Sequence, residues 1–263
     1  MNLSLQDKNA LVGGSTQGIG KATAIELALL GATVTLLARN ESALQATCAE
    51  LPTPFNQKHQ YIVGDFSQPE ALQQKVATYM ASHQIVYHLL INNTGGPKGG
   101  PIHQANYTEF EAAMAMHLIC NHLLVQTVLP GMKLANYGRI VNITSTSVKE
   151  PIEGLGVSNT TRWAVAAWAK TLAGEVAAWG ITVNTVLPGF TETDRLQQII
   201  NTNAQKKQTT TAEMENFMRS VVPAGRFAAP HEIAAAVACL GSPAAGYING
   251  IVLPVDGGRT KSL

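Results

Sequence analysis

Gly13-Gly14-Ser15-Thr16-Gln17-Gly18-Ile19-Gly20 follows the apolar run 10–12 and leads directly into a helical pattern that begins Lys21-Ala22-Thr23-Ala24-Ile25-Glu26. The G-x-x-x-G-x-G spacing permits a tight turn with close backbone approach. The unpaired N–H groups and the positive end of the helix dipole favour a pyrophosphate there. Strand, turn and helix together predict a dinucleotide site on Gly14, Ser15, Thr16, Gln17, Gly18, Ile19 and Gly20. An acid about 20 residues past the glycines marks NAD-binding units of this kind, since it accepts a hydrogen bond from the adenosine ribose. Here the second apolar run ends Leu36-Leu37-Ala38-Arg39, with no acid. A guanidinium at Arg39 can pair bidentately with a 2′-phosphate, which predicts NADP(H). The other reading is a solvated arginine at a strand end, and Gln17 adds no support for either.

The elements that must position this turn are legible as a repeat. Apolar runs at 10–12, 33–37, 60–63, 88–92, 138–143, 182–187 and 251–254 alternate with helical patterns at about 18–30, 40–51, 69–82, 108–133, 158–179 and 231–240. That is the pattern of right-handed βαβ units around a parallel sheet. It predicts an α/β fold: one Rossmann-type doubly wound domain spanning 1–263, with about seven strands and helices on both faces. Ligands in such sheets bind outside the carboxyl ends of the strands, so strand-end motifs carry the most information.

The glycine spacing and several later motifs resemble the short-chain dehydrogenase/reductase family. Asp65-Phe66-Ser67 resembles its acidic motif near the adenine, and Asn92-Asn93-Thr94-Gly95 its N-N-A-G turn, with Thr94 in place of alanine. Pro188-Gly189-Phe190-Thr191-Glu192-Thr193 is similar to the segment that contacts the nicotinamide carboxamide and opens the substrate lid. The C-terminal Gly225-Arg226-Phe227, Tyr247-Ile248-Asn249-Gly250 and Val255-Asp256-Gly257-Gly258 resemble those of 3-oxoacyl-(acyl-carrier-protein) reductases. The resemblance implies cofactor contacts at Asp65, Phe66, Asn93, Thr94, Gly95, Pro188, Gly189, Thr191 and Thr193. It also implies a mobile lid over about 191–222 with an exposed polar run at 201–211, and a homotetramer or homodimer.

The catalytic pattern departs from the family. Its members use an Asn-Ser-Tyr-Lys set, in which the tyrosine protonates the carbonyl oxygen and the lysine lowers its pKa. None of the six tyrosines has a lysine four residues later. Aligning Ala169-Lys170-Thr171-Leu172-Ala173-Gly174-Glu175 with the family's helix puts Ser158 at the tyrosine and Arg162 at the lysine. The same counting puts Ser145 of Asn142-Ile143-Thr144-Ser145 at the serine and His117 at the asparagine. A serine hydroxyl is a far weaker acid than a phenol, so Ser158 cannot take over the tyrosine's role unaided. His117 is either a substitute proton donor or a core histidine with its nitrogens satisfied. Ser145 and Arg162 either bind a substrate carbonyl and hold ribose hydroxyls or an oxyanion, or end a strand and make a structural ion pair.

Composition narrows the function classes. A net charge of +1 with scattered Lys and Arg offers no face for a polyanion, so nucleic acid is not an expected partner. Three cysteines far apart support neither a disulfide framework nor a zinc cluster, no metal-ligand spacing stands out among the histidines, and a cytoplasmic setting is expected. No uninterrupted apolar stretch approaches the roughly 18 residues that crossing a bilayer requires, and no membrane partner is expected. The Gly/Pro segment 94–101 is either a roof over the active site or a connector. Trp163, Trp168 and Trp179, on more than one side of their helix, fit either a subunit interface or the core of one chain. Two functions remain: an NADP(H)-dependent oxidoreductase acting on a small-molecule carbonyl or alcohol with a non-standard catalytic set, and a catalytically silent NADP(H)-binding regulator or scaffold.

Overall fold

A computed structural model describes residues 1–262. Seven strands are formed: β1 (Asn9–Gly13), β2 (Thr33–Ala38), β3 (Gln60–Val63), β4 (Leu89–Asn92), β5 (Gly138–Ile143), β6 (Ile181–Pro188) and β7 (Val252–Val255). All pairs are parallel, in the order β3-β2-β1-β4-β5-β6-β7. The order reverses between β1 and β4, which stay paired, and the helices that follow them pack on opposite faces, leaving a crevice at their carboxyl ends where such sheets take their ligands.

Neighbouring apolar residues on one strand point to opposite faces, which is how the runs supply two cores. Val12, Leu36, Ile91, Val141 and Val186 pack beneath α1 (Gly18–Leu29), α2 (Glu41–Glu50) and a C-terminal helix, Pro230–Gly241. Leu11, Leu37, Leu90, Ile140 and Val183 pack beneath α3 (Pro69–His83) and two further helices, Cys120–Leu134 and Gly156–Val176. A slip of one residue in any central strand would exchange these sets.

The expected helix at 108–133 is two helices, α4 (Tyr107–Met114) and α5 (Cys120–Leu134), joined by a π-helical turn at Ala115–Ile119. The Glu109 carboxylate accepts from the Asn106 N–H at 2.9 Å, half of a capping box, at the start of α4. By length and composition alone the combined run of 28 residues is apolar enough to cross a membrane, although Glu111, His117, Asn121 and Gln126 interrupt it. Cys120, Leu124, Val125, Val128 and Met132 of this run are buried in the second core, as in a core helix of a soluble domain.

α6 (Gly156–Val176) follows. The segment expected to be lid contains two helices that the sequence reading did not anticipate, α7 (Asp194–Lys207) and α8 (Thr211–Ser220), before α9 (Pro230–Gly241). Leu196, Ile200 and Ala204 of α7 meet Met214 and Met218 of α8 and Phe227 in a small core of their own. The polar run 201–211 is mostly exposed, and its first residues form the last turns of α7.

Candidate active site

The glycine turn between β1 and α1 is built as the spacing requires. Gly14 and Gly18 adopt φ of +55° and +53°, the left-handed region that favours glycine. A Cβ on Gly20 would lie 2.1 Å from the Gly14 carbonyl oxygen, so only glycine lets α1 start this close to the turn. Asn93 pins the turn from below, its Nδ2 donating to the carbonyls of Gly13 (3.1 Å) and Gly14 (3.3 Å). Ser15 is fully buried, and its Oγ accepts from the Leu37 N–H at 3.0 Å, tying the turn to β2.

Gly14, Gln17, Gly18, Ile19 and Gly20 open onto a cleft whose walls include Asn93, Thr94, Gly95, Pro188, Gly189, Thr191 and Thr193. Thr193 caps α7, accepting from the Leu196 N–H at 3.3 Å, and its methyl group would lie 3.1 Å from a Cβ on Gly18. The segment after β6 therefore touches the turn across the cleft. Ser145, Ser158 and Arg162 line the same cleft.

Six predicted positions lie outside that lining: Ser15, Thr16, Arg39, Asp65, Phe66 and His117. Phe66 is core: its ring packs at Gly13, and its carbonyl accepts from Cys120 Sγ. Arg39, exposed at the end of β2, makes no hydrogen bond or ion pair among the described residues. Asp65, at the end of neighbouring β3, accepts from the Ser67 N–H at 2.9 Å, which with the nearby Arg39 charge holds its carboxyl below the usual range.

The catalytic candidates form a connected group. Ser145 lies two residues past β5, its Oγ accepting from the Ser147 N–H at 3.1 Å to cap a short 3₁₀ turn. Ser158 and Arg162 are one turn apart on one face of α6, which is why they meet. Arg162 Nε donates to Ser158 Oγ at 3.2 Å, and Nη1 donates to the Thr144 carbonyl at 2.8 Å. Burial, then the charge of Arg195, pulls the Arg162 pKa down to about 10, so the guanidinium stays cationic at neutral pH. Arg195, on the first turn of α7, was not anticipated from the sequence; the one available signal was Thr193 as the start of a helix that carries it into the cleft.

His117 sits on the π turn, a local insertion often found at functional sites, and is 5% exposed. Its Nε2 is buried with no hydrogen-bond partner, and the Gly95 backbone near the ring works only weakly toward the protonated form. Burial, then the Arg162 charge, drives its pKa down to about 3. The ring is neutral at pH 7. An unfolded-state value near 6.5 lies above the folded one, so the unfolded chain binds the extra proton as pH falls. Stability is retained above pH 6.5 and lost as pH falls from there toward 3. A His117→Gln variant should flatten this part of the stability curve, shifting acid unfolding to lower pH in urea melts followed by circular dichroism. Equal pH dependence in the two proteins would refute it.

Comparison with known proteins agrees with the geometry. The enoyl-(acyl carrier protein) reductase family model matches residues 14–260. The chain belongs to the short-chain dehydrogenase/reductase family. It is 35% identical over 256 residues to a 3-oxoacyl-[acyl-carrier-protein] reductase of Vibrio cholerae, covering 97% of this chain and 98% of that one. To a chloroplastic tropinone reductase homolog of Arabidopsis thaliana it is 32% identical over 263 residues, covering 98% and 77%. Among solved structures, the L-sorbose reductase of Gluconobacter frateurii, complexed with NADPH and L-sorbose, superposes with a TM-score of 0.93 at 27% identity, with both chains fully covered. YwfH, an NADPH-dependent reductase involved in bacilysin biosynthesis, gives 0.91 at 27% identity, covering 97% and 99%.

Proposed function

We propose that this chain is an NADP(H)-dependent oxidoreductase that interconverts a carbonyl and an alcohol, with Ser145, Ser158 and Arg162 at the reacting carbon. The observation that carries the reading is the shared cleft: the glycine turn, the segment 188–193 and the Ser145–Ser158–Arg162 group line one cavity. The residues fit the cofactor, because the turn leaves a cradle that a Cβ at Gly20 would fill and Arg39 has no acid bonded to it. Bound there, the reduced nicotinamide supplies a hydride.

The chain's own residues must then orient the carbonyl and meet the charge that develops on its oxygen. The Ser145 and Ser158 hydroxyls can each donate to that oxygen. Arg162 has spent two donors on Ser158 and Thr144, and its remaining N–H groups face the cleft to stabilise an alkoxide or hold ribose hydroxyls. The proton that completes the alcohol comes from water in the cleft. A neutral, buried His117 outside the cleft lining is a poor donor to that oxygen. Residues 191–222 form the lid of a domain spanning 1–263. The half-exposed Trp163 and Trp179 on α6 and the turn after it support a homotetramer or homodimer.

Fluorescence titration with NADPH and NADH is the test. NADPH should bind tightly and NADH weakly, and Arg39→Ser should weaken NADPH roughly 10- to 100-fold while leaving NADH unchanged, the worth of a charge-assisted pair. Failure of both nucleotides to bind at millimolar concentration would end the hydride-transfer reading. The absent Tyr-x-x-x-Lys pair favours a second reading, a silent NADP(H)-binding protein, which predicts NADPH binding with no turnover of any carbonyl.

A further inference from the structure

Two cations face the cleft beyond the paired serines, and no acid neutralises them. A Cβ on Gly96 would lie 3.2 Å from Arg162 Nη2 and 3.9 Å from Arg195 Nη2, so the two guanidinium groups approach each other across one side-chain-free residue. The hydrogen bonds they make go to neutral partners. Arg162 donates to Ser158 Oγ and the Thr144 carbonyl, and Arg195 Nη2 donates to the Pro97 carbonyl at 3.0 Å. The three ion pairs among the described residues involve other arginines and a lysine. Glu192 and Asp194 stand on the same rim, and neither is within ion-pair distance of either arginine. The glycines of the 94–97 loop leave the space in front of the pair open, with nothing within 4 Å of a Cβ on Gly95.

We infer that Arg162 and Arg195 form an anion-binding pair for the substrate, which is an oxo acid whose carboxylate lies beside the carbonyl held by Ser145 and Ser158. This rests on the oxidoreductase reading for the identity of the carbonyl, though not for the anion site itself. A carboxylate bridging two guanidinium groups satisfies planar donors on both and removes their mutual repulsion. The cofactor's own anions would have other partners: the glycine turn and the start of α1 would hold the pyrophosphate, and Arg39 at the end of β2 the 2′-phosphate. A site next to Ser158, inside a cleft whose lining does not include Arg39, is left for the substrate. The nearby carbonyl and the fixed anion would together orient the molecule before hydride arrives.

Calorimetric titration of the whole protein with pyruvate and with pyruvamide, its neutral counterpart, tests this, each run without and with saturating NADP⁺. Pyruvate should bind the NADP⁺-loaded protein roughly tenfold or more tightly than pyruvamide, the worth of one charge-assisted contact. Arg195 is exposed on α7, so Arg195→Gln should fold normally, as a thermal melt would show, and should bring the two affinities within about twofold. Arg195→Lys should keep part of the preference. Equal affinities in the unaltered protein, no pyruvate binding at millimolar concentration, an unchanged ratio in Arg195→Gln, or competition between pyruvate and NADP⁺ would each overturn the inference. If NADP⁺ does not bind while the free protein still prefers pyruvate, the hydride reading falls and the anion site stands. If NADP⁺ binds and pyruvate is not preferred, the anion site falls alone.

Discussion

The Ser158→Tyr, Arg162→Lys double variant is expected to reduce a neutral aryl ketone with NADPH on the order of 10²- to 10⁴-fold faster than the unaltered chain, the usual worth of a positioned general acid. That range corresponds to roughly 3 to 5 kcal/mol of barrier. Positions 158 and 162 already lie one turn apart on α6, in contact and facing the cleft, so the new side chains would start where a phenol and an ammonium are useful to each other. The lysine charge would draw the phenol down from its ordinary value near 10, toward a pKa at which it can protonate an alkoxide. Steady-state NADPH consumption is the readout, with a melt to show that the variant folds. A folded variant with no gain would mean that the cleft is reshaped elsewhere, and that the missing pair is not what limits this chain.

Gly20→Ala should be the most damaging single methyl. The added carbon would lie 2.1 Å from the Gly14 carbonyl oxygen and 2.7 Å from Asn93 Nδ2, and neither neighbour can yield cheaply. The first is backbone, and the second is fixed by its bonds to Gly13 and Gly14. Relief requires α1 to withdraw from the turn, although Leu27 and Ala28 of that helix are packed in the first core with Ile233 and Val237 of α9. Overpacking of this kind costs about 3 kcal/mol, which lowers Tm by roughly 6–12 °C in a chain of this size. NADPH affinity should fall at least about 100-fold, because the N–H groups of the turn lose their common aim. Gly174→Ala is the control: its Cβ meets nothing within 4 Å on α6, and alanine favours the helix by about 1 kcal/mol. Equal melting temperatures for Gly20→Ala and the unaltered protein would refute the close-approach argument.

The seven strands were legible because each is a short apolar run, and the five central ones are buried on both faces, a pattern that needs no tertiary information to stand out. The glycine turn was legible because its spacing constrains the backbone itself. The two lid helices were not, since α7 reads as a polar segment, with Leu196, Ile200 and Ala204 as the apolar stripe within DRLQQIINTNAQKK. A local signal was available for α8: Thr210 and Glu213 have the T-x-x-E spacing of a capping box, and both halves of the box form. The π turn around His117 carries no sequence mark, because a one-residue insertion leaves the apolar pattern on either side almost unchanged. Arg195 was missed for a different reason. Its place beside Arg162 depends on the direction in which α7 leaves Thr193, and two cations separated by 33 positions in the chain have no spacing rule to connect them.

The all-parallel sheet sets how this chain must be assembled. No strand can zip onto its neighbour as a hairpin, since each pairing waits for an intervening helix to fold back. The central joint is the most demanding: β1 pairs with β4, for example Leu11 with Leu90, across the whole of α1, β2, α2, β3 and α3. Such long-range closure places the protein among slow folders. During synthesis, β1 to β3 can associate early, while the β1 edge that awaits β4 stays bare, with Leu11 and Val12 beside it. That edge is the point at which an incomplete chain is most open to pairing with another copy, and where a chaperone would find extended apolar backbone to hold.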